Sequence, residues 1–154
     1  MGTMKNALRK HYVADWAKEH TQAPADEKFL RLAKNISTIT DDTDEETDDK
    51  AFYDGDGTKE KKVVGISEAW KVEGNRDYDD PAQNLIASKK RKTGDDRKVW
   101  HRIVDSVEKT VTTEVATLSD IKSGGGDAGD DEAFGCTITY NKIAKETPYV
   151  KGPQ

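Results

Sequence analysis

Apolar positions along the chain fall in short runs that mostly alternate with polar ones. Leu8, Tyr12 and Trp16 recur every four positions, a helical spacing, whereas Tyr12, Ala14 and Trp16 alternate as a strand would. In so short a segment the period leaves helix and strand both open. Residues 20–27 are polar and carry Pro24, which predicts a loop. Phe29, Leu30, Leu32, Ile36 and Ile39 then cluster, and the β-branched run from Ile36 to Thr40 predicts a strand. Across 62–73, Val64, Ile66, Trp70 and Val72 share one alternating face, interrupted at Glu68, which predicts a single long strand. Three further strand-like runs occupy 98–107, 110–121 and 133–143, the last two joined by the glycine-rich loop 123–132 as a hairpin.

One helix stands out. Asp80 is placed as N-cap, Pro81 as the first helical residue and Gln83 where a capping box needs it. Ala82, Leu85 and Ile86 form an apolar stripe, Lys89 to Lys92 supply cations for the helix C-terminus, and Gly94 can close it. These signals predict a helix over 81–92. Strands, one helix, then strands predict a mostly β sandwich or barrel with one flanking α-helix, as a single domain over 5–150.

The stretch 41–60 has a different character. Asp44, Glu45, Asp48 and Asp49 lie in a run without an apolar residue before Ala51. Like charges repel and bury nothing, so this reads as a long, flexible acidic loop. Phe52 and Tyr53 are aromatics that a purely solvating loop does not need. As anchors in a neighbour's groove they would make this a self-assembly loop, with the charges setting register. Folding back onto their own domain is the plainer alternative.

Composition narrows the classes. Only 33% of residues are hydrophobic and 36% are charged, so the core is lean. The net charge of −5 gives no basis for tight duplex DNA binding. No apolar run reaches the length of a membrane span or a secretory signal, and residues 1–4 read as a cloning scar. A single cysteine, Cys136, excludes a disulfide framework and sits on an apolar face as a small hydrophobe.

Candidate chemistry is sparse. His11, His20 and His101 lack metal spacing and read as surface or half-buried residues. Ser106 beside Asp105 and His101 has no nucleophile elbow around it. Asp54-Gly55-Asp56-Gly57 lacks the spacing of a calcium loop, and Gly124 to Gly126 lack the lysine and hydroxyl of a phosphate loop. Lys89 to Lys92 could touch nucleic acid, but the acidic remainder favours a dipole-matched helix end. No catalytic residue, metal ligand or cofactor is expected.

The order of segments resembles the major tail, or tail tube, proteins of long-tailed phages of Gram-positive bacteria. The resemblance covers about Tyr12 to Pro148. It rests on FLRLAKNISTITDD, Tyr53-Asp54-Gly55, the strand ending Gly74-Asn75-Arg76, DPAQNLI opening the helix at Asp80, SGGGDAGDD, and the final AFGCTITYNK. The resemblance implies a β-sandwich flanked by a helix, hexameric rings stacked into a tube, and strands lent to a barrel around a lumen. It implies partners such as a tape measure protein and a tail terminator, DNA passing without specific binding, and a place in the virion after assembly from the host cytoplasm. Two other classes fit the residues: a non-catalytic β-sandwich module that binds carbohydrate or a protein partner, and a small hydrolase using carboxylate pairs. The hydrolase needs its carboxylates on rigid elements.

Overall fold

A computed structural model of the chain describes residues 2–19 and 21–149. Among the described residues, ten strands and one α-helix follow in the order β1 (Lys10–Asp15), β2 (Leu30–Arg31), β3 (Ile36–Asp41), β4 (Asp44–Lys50), β5 (Glu60–Ser67), β6 (Ala69–Asn75), α1 (Pro81–Ser88), β7 (Lys98–Val104), β8 (Thr110–Ser123), β9 (Ala133–Tyr140) and β10 (Lys145–Pro148). The fold is mostly β with one helix, as the alternating pattern predicts. Eight strands make one antiparallel sheet in the order β2-β1-β7-β8-β9-β6-β3, with β10 added to β8. The sheet curls into a half-barrel.

The inner face of the curl carries the main core: Val13, Val72, Val99, Ile103, Ala116, Leu118, Phe134, Cys136 and Ile138. Alternation places these residues on one side of neighbouring strands, where they interdigitate. A smaller cluster of Ala14, Phe29 and Trp100 lies apart from it, with Trp16 and Ala23 against it. The first apolar segment is therefore a strand, β1, settled by its pairing with β7 from Lys10↔Val104 to Asp15↔Val99.

Helix α1 packs Ala82 and Ile86 into the main core. Asp80 caps it, its Oδ2 accepting from Gln83 N at 3.3 Å. The reciprocal half of the capping box does not form. The fully buried Gln83 side chain instead accepts from Asp77 N (2.8 Å) and donates to the carbonyls of Asn75 (2.9 Å) and Lys34 (3.2 Å). It thus bolts the helix to the ends of β6 and the β2–β3 link. The helix also stops at Ser88, not at 92. Lys89 is drawn inward to Asp15 Oδ1 (2.9 Å), and Arg97 donates to the carbonyls of Lys90 (2.6 Å) and Lys92 (2.7 Å). With these carbonyls satisfied by a side chain, no further helical turn is required.

Residues 62–73 form two strands, not one. β5 ends at Ser67, β6 begins at Ala69, and Glu68 between them lets the chain leave one sheet for the other. The Glu68 carbonyl accepts from Tyr140 N (2.8 Å) and its carboxylate from Trp70 Nε1 (2.9 Å). At the far end of β6, Gly74 is required by close approach. A Cβ there would collide with the Asn35 carbonyl oxygen.

Candidate assembly surface

The stretch 41–60 is not a structureless loop. β4 and β5 pair as a separate two-stranded ribbon, and only 42–43 and 51–59 lie outside strands. The register explains how so acidic a segment forms a strand. Asp48 stands opposite Lys62, Asp49 opposite Lys61, and Lys50 opposite Glu60. Opposite charges across a pair stabilise it by roughly 0.2–1 kcal/mol each. A charge run that would repel itself alone is neutralised by KEKK some ten residues downstream.

The balance does not extend along the whole ribbon. Nearer the sheet, Asp44, Glu45 and Glu46 stand opposite Ser67, Ile66 and Gly65, with no cation among those partners. Val63, Val64 and Ile66 are exposed at 53%, 58% and 44%. At the tip, Phe52 is 55% exposed and Tyr53 fully exposed, so neither folds back onto its own domain. The predicted assembly residues thus divide between the strand (Asp44, Glu45, Asp48, Asp49) and the tip (Phe52, Tyr53). The predicted cap residues Asp80, Pro81 and Gln83 lie elsewhere, at the helix start. The exposed face of β5 escaped the sequence pattern because its valines fit a buried strand equally well.

A groove of about 670 Å³ opens where the sheet curls, between residues 6–11 of the first segment and the free edge of β3. Arg9, His11, Arg31, Leu32, Ile36, Ile39 and Trp70 are among its lining residues. Asp41 is the only acid there, and its carboxylate already accepts from Thr43 N at 3.0 Å. Among the described residues neither Arg9 nor Arg31 makes an ion pair. Arg9 lies 5.7 Å from the Trp70 ring centroid.

Behind the groove sits a buried polar chain. His11 and His101 are 5% and 0% exposed, which corrects the expectation of surface or half-buried histidines. His11 Nδ1 is 3.3 Å from His101 Nε2, and His101 Nδ1 is 2.7 Å from the Tyr140 hydroxyl. Burial, then the Arg9 charge, lowers the His11 pKa to about 4. Burial, then His11, holds His101 well below the usual imidazole range. Both rings are therefore neutral at pH 7, a state in which each contact of the chain is still satisfied by one donated proton. The pair escaped sequence reading because β1 and β7 are about ninety residues apart. His20 lies outside the described residues. Burial pushes the Cys136 thiol up to about 12, in keeping with a buried hydrophobe. Among the described residues no three His, Cys, Asp or Glu side chains gather as a metal site, and no helix is long and apolar enough to cross a membrane.

No protein-family model and no curated protein matches the chain. Solved structures do. A chain of the tail of an empty gene transfer agent particle, with C6 symmetry, superposes with a TM-score of 0.68 at 10% identity, covering 94% of this chain and 99% of that one. A chain of the native gene transfer agent virion gives 0.64 at 12% identity, with the same coverage. A chain of the six-fold symmetrised baseplate of the anti-feeding prophage gives 0.53 at 11%, covering 96% and 97%. These likenesses do not single out the long-tailed phages of Gram-positive bacteria to which the sequence resemblance pointed. Over nearly its whole length, the chain has the fold of subunits of phage-like tails.

Proposed function

We propose that the chain is a structural virion protein that self-assembles into stacked hexameric rings, forming a tail tube through which the genome passes. The observation that carries this reading is the near-complete match of the curled sheet to a tail chain of a C6-symmetric particle. The uncovered ribbon supports it. A two-stranded hairpin alone in water is marginally stable, so exposed Val63, Val64, Ile66, Phe52 and Tyr53 call for a partner's cover. A second copy of the chain is the partner a ring supplies. The net charge of −5 suits a conduit, because like charge removes the phosphate attraction that would hold DNA. Tape measure and tail terminator proteins as further partners, a virion location after assembly in the host cytoplasm, and an origin in long-tailed phages of Gram-positive bacteria rest on the sequence resemblance.

Electron microscopy of the concentrated protein tests the reading, with rings or tubes expected. Asp42 N bonds Ala69 O at 2.8 Å, so when residues 43–67 are replaced by Asn-Gly, these two and Glu68 form a three-residue hairpin loop that keeps β3 and β6 in register. That variant, and separately Phe52→Ala with Tyr53→Ala, should fold by circular dichroism and fail to assemble. Unchanged assembly in both would refute a role for the ribbon.

A further inference from the structure

The half of the β4–β5 ribbon nearer the sheet and the groove beside β3 are complementary in charge and in apolar character, yet in the single chain neither covers the other. The ribbon offers Asp44, Glu45 and Glu46 without cross-strand cations, with Ile66 directly opposite Glu45. Residues directly opposite on a ladder project to the same face, so acid and apolar groups are presented together. The groove offers Arg9 and Arg31 without carboxylate partners, above the half-buried Ile36, Ile39 and Trp70. β3 is also the last strand of its sheet, paired with β6 alone. Its outward backbone groups are unpaired along this side, the usual template for another chain's strand.

We infer that the groove of one copy receives the sheet-proximal half of the β4–β5 ribbon of a second copy. This inference rests on the self-assembly reading above and names the receiving surface. β4 and β5 pair only with each other, leaving both surfaces open to a neighbour. The two surfaces are different patches of one molecule, so the contact is heterologous. Such contacts propagate head to tail and close into rings when the rotation permits. Arg9 and Arg31 then meet Glu45 at a partly desolvated rim, while Ile66 and Val64, on the same face of the ribbon, cover the apolar floor. The distal half, where Asp48, Asp49 and Lys50 stand opposite Lys62, Lys61 and Glu60, already matches its own charges and needs no such partner.

Charge reversal tests this on the full chain, read by sedimentation velocity and microscopy. Arg9→Glu with Arg31→Glu should weaken self-association about tenfold or more, and Glu45→Arg, on the face that carries Ile66, should do the same. Mixed one to one, the two variants present a matched groove and ribbon at every contact, so assembly should return. Circular dichroism checks folding. Should the double arginine variant misfold, Arg31→Glu alone, at an exposed residue, carries the measurement. If both variants assemble as wild type while the chain lacking 43–67 does not, the groove is the wrong acceptor and the ribbon reading stands. If the two variants fail to assemble when mixed, direct pairing is overturned. A wild-type chain that stays monomeric at high concentration overturns both readings.

Discussion

His11 Nδ1 and His101 Nε2 lie 3.3 Å apart on the inner face of the curled sheet, buried and held neutral by desolvation. Around them stand Trp70 and Arg9, Tyr140 behind His101, and two carboxylates, Glu68 and Glu114, near Tyr140. The His11 pKa falls from about 6.5 unfolded to about 4 folded, so the unfolded chain binds more protons between these values. Stability is then complete above about pH 6.5 and falls as pH drops toward 4. For His11 alone the loss between pH 7.5 and 5 is about 2 kcal/mol. Urea melts at the two pH values should show at least this loss, because His101 adds its own, and His11→Asn should remove the His11 share. An equal pH dependence in the variant would reject the assignment.

The ribbon's register makes a second expectation. Lys61→Glu with Lys62→Glu places like charges opposite Asp49 and Asp48. Two favourable pairs become unfavourable, a swing of roughly 1–3 kcal/mol for a ribbon with no other support. Hydrogen exchange should show faster exchange at 44–50 and 60–67 with β7, β8 and β9 unchanged. Retained protection of the ribbon would mean that charge pairing does not hold it.

At the helix start, the two polar residues should differ in cost. Asp80→Ala removes one cap bond and should cost about 1 kcal/mol. Gln83→Ala leaves the carbonyls of Asn75 and Lys34 and the Asp77 amide without their partner in a buried site, and should cost about 3 kcal/mol. Denaturant midpoints of the two variants decide it, and equal values would assign Gln83 a peripheral role.

Gly74→Ala drives a methyl into the Asn35 carbonyl at the β3–β6 bulge. Backbone cannot yield as a side-chain tip can, so a loss of about 2–3 kcal/mol is expected from thermal melts. Gly129→Ala, which meets nothing within 4 Å, serves as the neutral comparison.

Local patterns in the sequence determined much of the fold. Alternation placed Phe134, Cys136 and Ile138 on one buried face, and Asp80-Pro81 marked the helix start, because a strand's period and a helix cap are properties of adjacent residues. Tertiary structure decided the rest. The acidic run of β4 became a strand only when Lys61 and Lys62 came opposite, a long-range neutralisation that composition hides. The helix stopped at Ser88 because Asp15, remote in sequence, and Arg97, a few residues further on, captured the following turn. Glu68 split one apparent strand between two sheets, turning the valines of β5 outward while Val72 stayed inside. The meeting of His11 with His101, and the groove between Arg31 and β3, arise from pairing and curling of strands far apart in the chain. No one-dimensional period carries that information.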